Sequence, residues 1–172
     1  HHWDLSLIAH GAERILYGYV KLTFLANYLI SGVFSQYIST LGEPNDPLVL
    51  YLNMIKAGLN LYMQFSGFSD IAIGFAKVLG FKVMENFKWP YFQKNISDFW
   101  RCWHISLTSW CREYIYNTVF SITRMPMLGA IATMVIIGVW HEFSARYVVW
   151  GLYHGFGIVI LQIFQKNKTL NV

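Results

Sequence analysis

The sequence has little charge, because Asp, Glu, Lys and Arg make up only 13% of its 172 residues, about half the roughly 25% of a globular protein. This shortage disfavours a water-soluble domain, and a coiled coil would need many more Glu and Lys residues. Two cysteines, Cys102 and Cys111, are too few for a disulfide framework, and both are expected to be free thiols. No basic segment leads into a short apolar core and a cleavage site, so no signal peptide is predicted. The chain starts at His1, which suggests the interior of a longer protein.

Apolar residues are abundant instead: 55% of the chain is hydrophobic and 18% is aromatic. A chain this apolar does not stay solvated, which excludes intrinsic disorder. The net charge is +4, but the basic residues are scattered singly, and a nucleic-acid surface would need a clustered basic face. No nucleic-acid partner is therefore expected. In a membrane protein the same excess of Lys and Arg decides which loops stay in the cytoplasm.

Long apolar stretches predict an all-α, polytopic transmembrane protein in which residues 1–172 form a single membrane domain surrounded by lipid. A spanning helix needs about 20 mostly apolar residues. The predicted spans lie at approximately 15–42, 48–69, 71–84, 125–141 and 147–165. The third of them is short and carries two lysines. The alternative is a soluble core of buried helices, but four long uncharged stretches exceed what such a core requires.

The stretch between the third and fourth predicted spans is different, because polar and aromatic residues alternate in it. Helical spacing predicts an amphipathic helix at about 97–116, lying in the membrane interface or entering the membrane partway. Residues 85–124 carry five Lys or Arg against three Asp or Glu. This positive cluster predicts that the segment faces the cytoplasm.

Histidines within apolar segments are the main candidates for chemistry, since ionisable groups there are costly and often functional. They are His104, His141 and His154; each alone is more often a hydrogen-bonded structural residue than a catalyst. His141 closes an apolar run, so its imidazole is expected to be desolvated and neutral, as a general base must be.

Other enzyme signatures fail on inspection. His141 and Glu142 begin an HExxH pattern, but Ala145 stands where the second zinc ligand would be. Ser66 lacks the flanking glycines of a nucleophile elbow. The sequence shows no phosphate-binding glycine motif and no metal-ligand spacing, so no bound cofactor and no metal are expected.

Three segments nevertheless resemble a known family. Residues 64–116, which contain FSGFSD and SDFWRCWHISLTSW, are similar to the signature region of the membrane-bound O-acyltransferase (MBOAT) family. The similarity is greatest to its bacterial branch of alginate O-acetyltransferases and D-alanyl transfer proteins of teichoic acids. Residues 138–155, GVWHEFSARYVVWGLYHG, resemble the second signature of that branch, and residues 11–29 resemble an upstream segment.

The resemblance implies a C-terminal part of a fold in which helices surround a tunnel through the membrane. It implies that His141 is the catalytic base and that His104 occupies a second catalytic position. Residues expected to support them are His154, Asp70, Arg101 and Glu142. Glu142 departs from the pattern of the branch, which usually has glycine after the catalytic histidine.

The function implied is an O-acyltransferase of a bacterial cytoplasmic (inner) membrane. It would move an acyl group, expected to be acetyl, from acyl-CoA or an acylated carrier protein on the cytoplasmic side to a hydroxyl. The acceptor would be a cell-surface polysaccharide, as in alginate biosynthesis, or a related envelope polymer, reached directly or through an extracytoplasmic partner transferase. Two alternatives are a transporter or channel, with His104, His141 and Asp70 along a polar path, and a non-catalytic export subunit.

Overall fold

A computed structural model describes residues 5–170, with side chains described for residues 5–167. The chain divides into two compact units, residues 1–85 and residues 86–172; that both belong to a single membrane domain stays a prediction. Regular helix is absent between residue 79 and the short 3₁₀ turn at residue 90, so the division falls in a non-helical connection. Each unit is described separately.

The first unit is made of two long helical stretches that are joined by a turn. Its elements are α1 (Leu5–Tyr19), a π-helix (Val20–Phe34), α2 (Ser35–Ser39) and α3 (Pro47–Val78). Pro47 opens α3, where a missing N–H costs nothing because the first helical N–H groups have no intrahelical partner. After α3 the chain reverses through Gly80 at φ 81°. There the N–H of Phe81 donates to the carbonyl of Ala76 at 2.7 Å, which is the Schellman arrangement.

The two spans predicted at 48–69 and 71–84 differ from the structure, in which α3 runs unbroken through 47–78 and residues 81–85 are not helical. The sequence contains no helix breaker near residue 70, only the charge of Asp70. In the structure two cations neutralise that charge, so the helix continues through it. At 1.5 Å per residue α3 is about 48 Å long, longer than the roughly 30 Å hydrocarbon core of a bilayer.

Glycines allow α1 and α3 to approach each other closely. A Cβ built on Gly18 would lie 2.6 Å from the carbonyl oxygen of Gly67, and one built on Gly74 would lie 2.7 Å from that of Gly11. These distances leave no room for a side chain on either helix. Small residues spaced in this way are typical of helix pairs in membranes.

Replacing Gly18 by alanine is expected to destabilise the protein by about 1–3 kcal/mol, because the new methyl group meets backbone that cannot move aside. Gly32→Ala is the matched control, since its Cβ would meet only the Asn27 carbonyl oxygen at 3.5 Å, an ordinary contact. Alanine there should be neutral or slightly stabilising. Thermal unfolding of the purified full-length variants in detergent measures both effects. Equal stability of the two variants would contradict the close packing.

The second unit begins with short elements and ends with two longer helices. They are a 3₁₀ turn (Pro90–Phe92), α4 (Ile96–Cys102), α5 (Ile105–Cys111), a π-helix (Arg112–Tyr116), α6 (Asn117–Thr123), α7 (Pro126–His141) and α8 (Ala145–Leu170). Helices α7 and α8 pack closely, because a Cβ on Gly151 would lie 2.6 Å from the carbonyl oxygen of Met134. The buried core of this unit is formed by Trp100, Cys111, Met134 and Ile137. Both cysteines are free thiols, as predicted.

The helix predicted at about 97–116 is wrong at its centre. It begins at Ile96, where the Asn95 side chain accepts a hydrogen bond from the N–H of Asp98, and α4 stops at Cys102. Trp103 is extended and His104 is left-handed, so α5 starts afresh at Ile105. Spacing of aromatic residues cannot reveal such an interruption, because it is caused by pairing with residues 86–88, outside the predicted helix.

One helix of the described residues, at Ala145–Asn167, is long and apolar enough to cross a membrane; only 17% of its most apolar window is buried within the chain. Helix α7 is apolar but shorter. Their bounds agree with two of the predicted stretches. That these and the other three stretches span the bilayer stays a prediction.

Candidate functional site

A short antiparallel pairing sets the backbone around His104. Phe87 and Trp103 form an isolated β-bridge, and the N–H of Lys88 donates to the carbonyl of Cys102 at 3.0 Å. His104 itself has φ 46° and ψ 57°. A non-glycine residue in this region stores about 1–3 kcal/mol of strain, and such residues cluster at functional sites. Trp89 and Arg124 share this left-handed backbone, and His104 is the one of these three residues with an imidazole.

His104 and His141 both contact the ring of one tryptophan, Trp140. The Trp140 ring centroid is 6.1 Å from that of His104 and 4.9 Å from that of His141. Burial lowers the pKa of His104 below its ordinary value, and the nearby His141 lowers this pKa further. His104 is therefore neutral near pH 7, with one ring nitrogen able to donate a hydrogen bond and the other able to accept one.

His141 is the last residue of α7, and aromatic rings surround it on the protein side. Tyr147 stacks on it at 5.9 Å with an interplanar angle of 25°, and Trp150 meets it edge-on at 6.0 Å. In the described part of the chain His141 is exposed, so the desolvation of its imidazole in the full-length protein stays a prediction. The apolar run that precedes His141 forms α7, and His141 is the last residue of that helix. An exposed imidazole is accessible to a substrate.

His154 packs against Trp150 and Trp100. Its ring centroid is 4.5 Å from that of Trp150 and 5.3 Å from that of Trp100. Its Nδ1 is buried and has no hydrogen-bond partner among the residues that the structure describes. These contacts describe a packed aromatic ring, and a supporting role for His154 in catalysis stays a prediction.

Asp70, a residue of the first unit, is 4% exposed and is held by two cations. Its two carboxylate oxygens lie 2.6 Å from Arg14 Nε and 2.6 Å from Lys21 Nζ. Arg14 also pairs with Glu85. The network connects α1 and the following π-helix to α3. These contacts of Asp70 therefore stabilise the packing of helices in the first unit.

Arg101 and Glu142, the remaining predicted supporting residues, are both exposed. Arg101 lies 3.5 Å from Asp98, and Glu142 lies 3.1 Å from Arg146 one turn later on the chain.

Arg101 also lines a cavity of about 490 Å³ in the second unit, together with Arg112, several hydroxyl groups and an apolar floor on α7 and α8. The residues that line this cavity include neither His104 nor His141. Among residues 5–170, no three His, Cys, Asp or Glu side chains converge as metal ligands.

Sequence reasoning missed the residues that connect the candidate histidines. Trp140 contacts the rings of His104 and His141, and Trp150 contacts those of His141 and His154. A Trp–His pair occurs at 103–104 and again at 140–141, and this repetition could have indicated Trp140 as a site residue. Asn86, which bonds to the start of α5, lies 18 residues before His104, and the spacing along the chain does not indicate that the two segments pair.

The left-handed conformation of His104 makes a specific prediction about two substitutions. Glycine adopts this conformation without strain, whereas alanine does not. His104→Gly should therefore be more stable than His104→Ala by about 1 kcal/mol, although both remove the imidazole. Thermal unfolding in detergent measures the difference, and alanine being the more stable variant would count against the left-handed backbone.

These observations define an all-helical protein with a helix suited to a bilayer and with two histidines that share one tryptophan. The chain belongs to the membrane-bound O-acyltransferase family, whose family model matches residues 3–170. This confirms the resemblance on which the sequence analysis relied, and the protein is accordingly membrane-bound.

Relatives with several different acceptors match the chain. A probable alginate O-acetylase AlgI of Pseudomonas fluorescens is 36% identical over 168 residues, which cover 96% of this chain and 33% of the relative. A teichoic acid D-alanyltransferase of Bacillus subtilis is 30% identical, over 95% of this chain and 44% of the relative. A peptidoglycan O-acetyltransferase of Helicobacter pylori is 32% identical, over 64% of this chain and 21% of the relative. The chain thus spans about a third of the length of the alginate relative.

Proposed function

We propose that the full-length protein is an O-acyltransferase that moves an acetyl group from a thioester to a hydroxyl of an envelope polymer. The observation that carries the proposal is the contact of both His104 and His141 with Trp140 in a chain of this family. Similarity to an alginate O-acetylase, a teichoic acid D-alanyltransferase and a peptidoglycan O-acetyltransferase supports transfer to an envelope polymer. Acetyl is the group moved by two of these three relatives, as their names state.

The reaction proceeds as follows at the proposed site. His141 takes the proton of the acceptor hydroxyl while the hydroxyl oxygen attacks the thioester carbonyl carbon. The C–S bond breaks, the ester forms, and the leaving thiolate takes the proton back from His141. His104, which is neutral near pH 7, donates a hydrogen bond that orients the acceptor or stabilises the negative charge that develops on the carbonyl oxygen.

The arrangement in the membrane follows the charge distribution. Five Lys or Arg residues in 85–124, against three acidic residues, favour the cytoplasmic side for this segment. The thioester donor, acyl-CoA or an acylated carrier protein, would approach from that side, and the polymer from the other. Helices of the full-length protein would surround a tunnel that connects the two sides in a multi-pass protein of the bacterial cytoplasmic membrane.

Acyl transfer in membranes tests the proposal. Membranes that contain the full-length protein are incubated with radiolabelled acetyl-CoA, with and without the acetylated carrier protein as donor, and label in envelope polymer is counted. We expect donor-dependent labelling that exceeds the labelling of membranes without the protein. Solute flux without any acyl donor, together with no labelling, would instead indicate a transporter.

A further inference from the structure

We propose that Asn86 is a positioning residue for His104, an inference that rests on the proposed acyltransfer function. The main-chain carbonyl of Asn86 accepts a hydrogen bond from the N–H of Ile105 at 3.0 Å. Its side-chain Oδ1 accepts two more, from the N–H of Ser106 at 3.2 Å and from the Ser106 hydroxyl at 2.6 Å. Asn86 therefore holds the two residues that directly follow His104.

These bonds replace an ordinary helix cap. The first N–H groups of a helix have no intrahelical partner, and usually the side chain of the N-cap residue accepts one of them. His104 is the N-cap residue of α5, yet its side chain makes no capping bond. Asn86 accepts the N–H groups instead, so the imidazole of His104 is not used to cap the helix.

The same segment holds the backbone on the other side of His104. The β-bridge between Phe87 and Trp103, and the bond from the N–H of Lys88 to the carbonyl of Cys102, come directly before it. His104 thus stands between two sets of bonds from one strand-like segment. Backbone strain of this kind persists only where the surroundings over-determine it, and Asn86 contributes the only side-chain acceptor recorded among these bonds in the described residues.

Loss of Oδ1 releases the start of α5 and allows His104 to relax toward an ordinary backbone conformation. Its imidazole would then shift relative to Trp140 and His141. A misplacement of about 1 Å at a catalytic group lowers a rate by about 100-fold. Binding of the acyl donor, which this bond does not touch, should change much less.

The test compares Asn86→Ala with Asn86→Asp in the full-length protein, because aspartate keeps an acceptor oxygen at this position and alanine does not. Asn86→Ala is expected to lower kcat at least about 10-fold with little change in KM for the donor, whereas Asn86→Asp should restore most of the rate. Ser109→Ala is the control, since the Ser109 hydroxyl bonds only to carbonyls of α5 itself. Abundance and elution profile are checked for each variant.

Two outcomes would overturn the inference: a wild-type kcat in Asn86→Ala, or a loss in Asn86→Asp as large as that in Asn86→Ala. If Asn86→Ala does not accumulate, Ser106→Ala removes the shorter bond alone and should lower kcat about 5-fold; an unchanged rate would be equally decisive. An inactive wild-type protein would refute the proposed function, whereas an active wild type with insensitive variants refutes only the role of Asn86.

Discussion

Replacement of His141 by alanine in the full-length protein is expected to lower the rate of acyl transfer by about 10²–10⁴-fold, the usual contribution of a positioned general base. This corresponds to about 3–5 kcal/mol of activation free energy. The structure supports this role for His141, because the residue is exposed at the end of α7 and contacts Trp140, Tyr147 and Trp150. Transfer is measured in membranes, with the abundance of each variant checked by immunoblot.

The other histidines provide the comparison for this prediction. His104→Ala should cost a comparable or somewhat smaller factor, whereas His154→Ala should cost clearly less, since His154 is half-buried and packs against Trp100 and Trp150. If His141→Ala, present at normal abundance, kept more than about a tenth of the wild-type activity, a general-base role could not be maintained.

Replacement of Asp70 by asparagine is expected to lower the free energy of unfolding by about 3 kcal/mol. Removing one partner of a buried ion pair costs about 3–5 kcal/mol because the opposite charge is left uncompensated. We expect the lower end of that range because the side chains of Arg14 and Lys21 are 30% and 31% exposed and keep some hydration. Thermal unfolding and membrane abundance of the full-length variant measure the loss.

Glu13→Gln is the matched control for Asp70→Asn. Glu13 is an acidic residue of α1 that is exposed and bonds only to Tyr17, one turn later on the same helix, among its recorded hydrogen bonds and ion pairs. An exposed interaction of this kind contributes little, so its loss should leave stability nearly unchanged. Equal stability of Asp70→Asn and the wild-type protein would show that the network with Arg14 and Lys21 does not hold α1 to α3.

Residue identity made several features predictable. Helices α7 and α8 follow from apolar stretches that contain no charge, because an uncharged run of this length has few stable alternatives to a helix. The free thiols follow from cysteine number and spacing. His104 and His141 were identified as a pair from the resemblance of their motifs to the family, and the structure brings both to Trp140.

Long-range contacts explain what the sequence could not predict. Residues 48–84 were predicted as two spans that meet at Asp70, and only the fold reveals that Arg14, 56 residues earlier, neutralises this carboxylate. The helix through 97–116 was drawn unbroken because its apolar spacing is regular. Its interruption at His104 depends on Asn86 and Phe87, which periodicity within the helix cannot detect.

By itself, the sequence determined that this protein is helical, apolar enough for a membrane and equipped with histidines in the motifs of an acyltransferase family. These properties depend on residue type and local spacing, which are read along the chain. The tertiary structure alone decided that α3 is one helix, that His104 sits in a left-handed turn and that His104 contacts Trp140. Such features depend on contacts between residues far apart in sequence, whose energies appear only when the chain is folded.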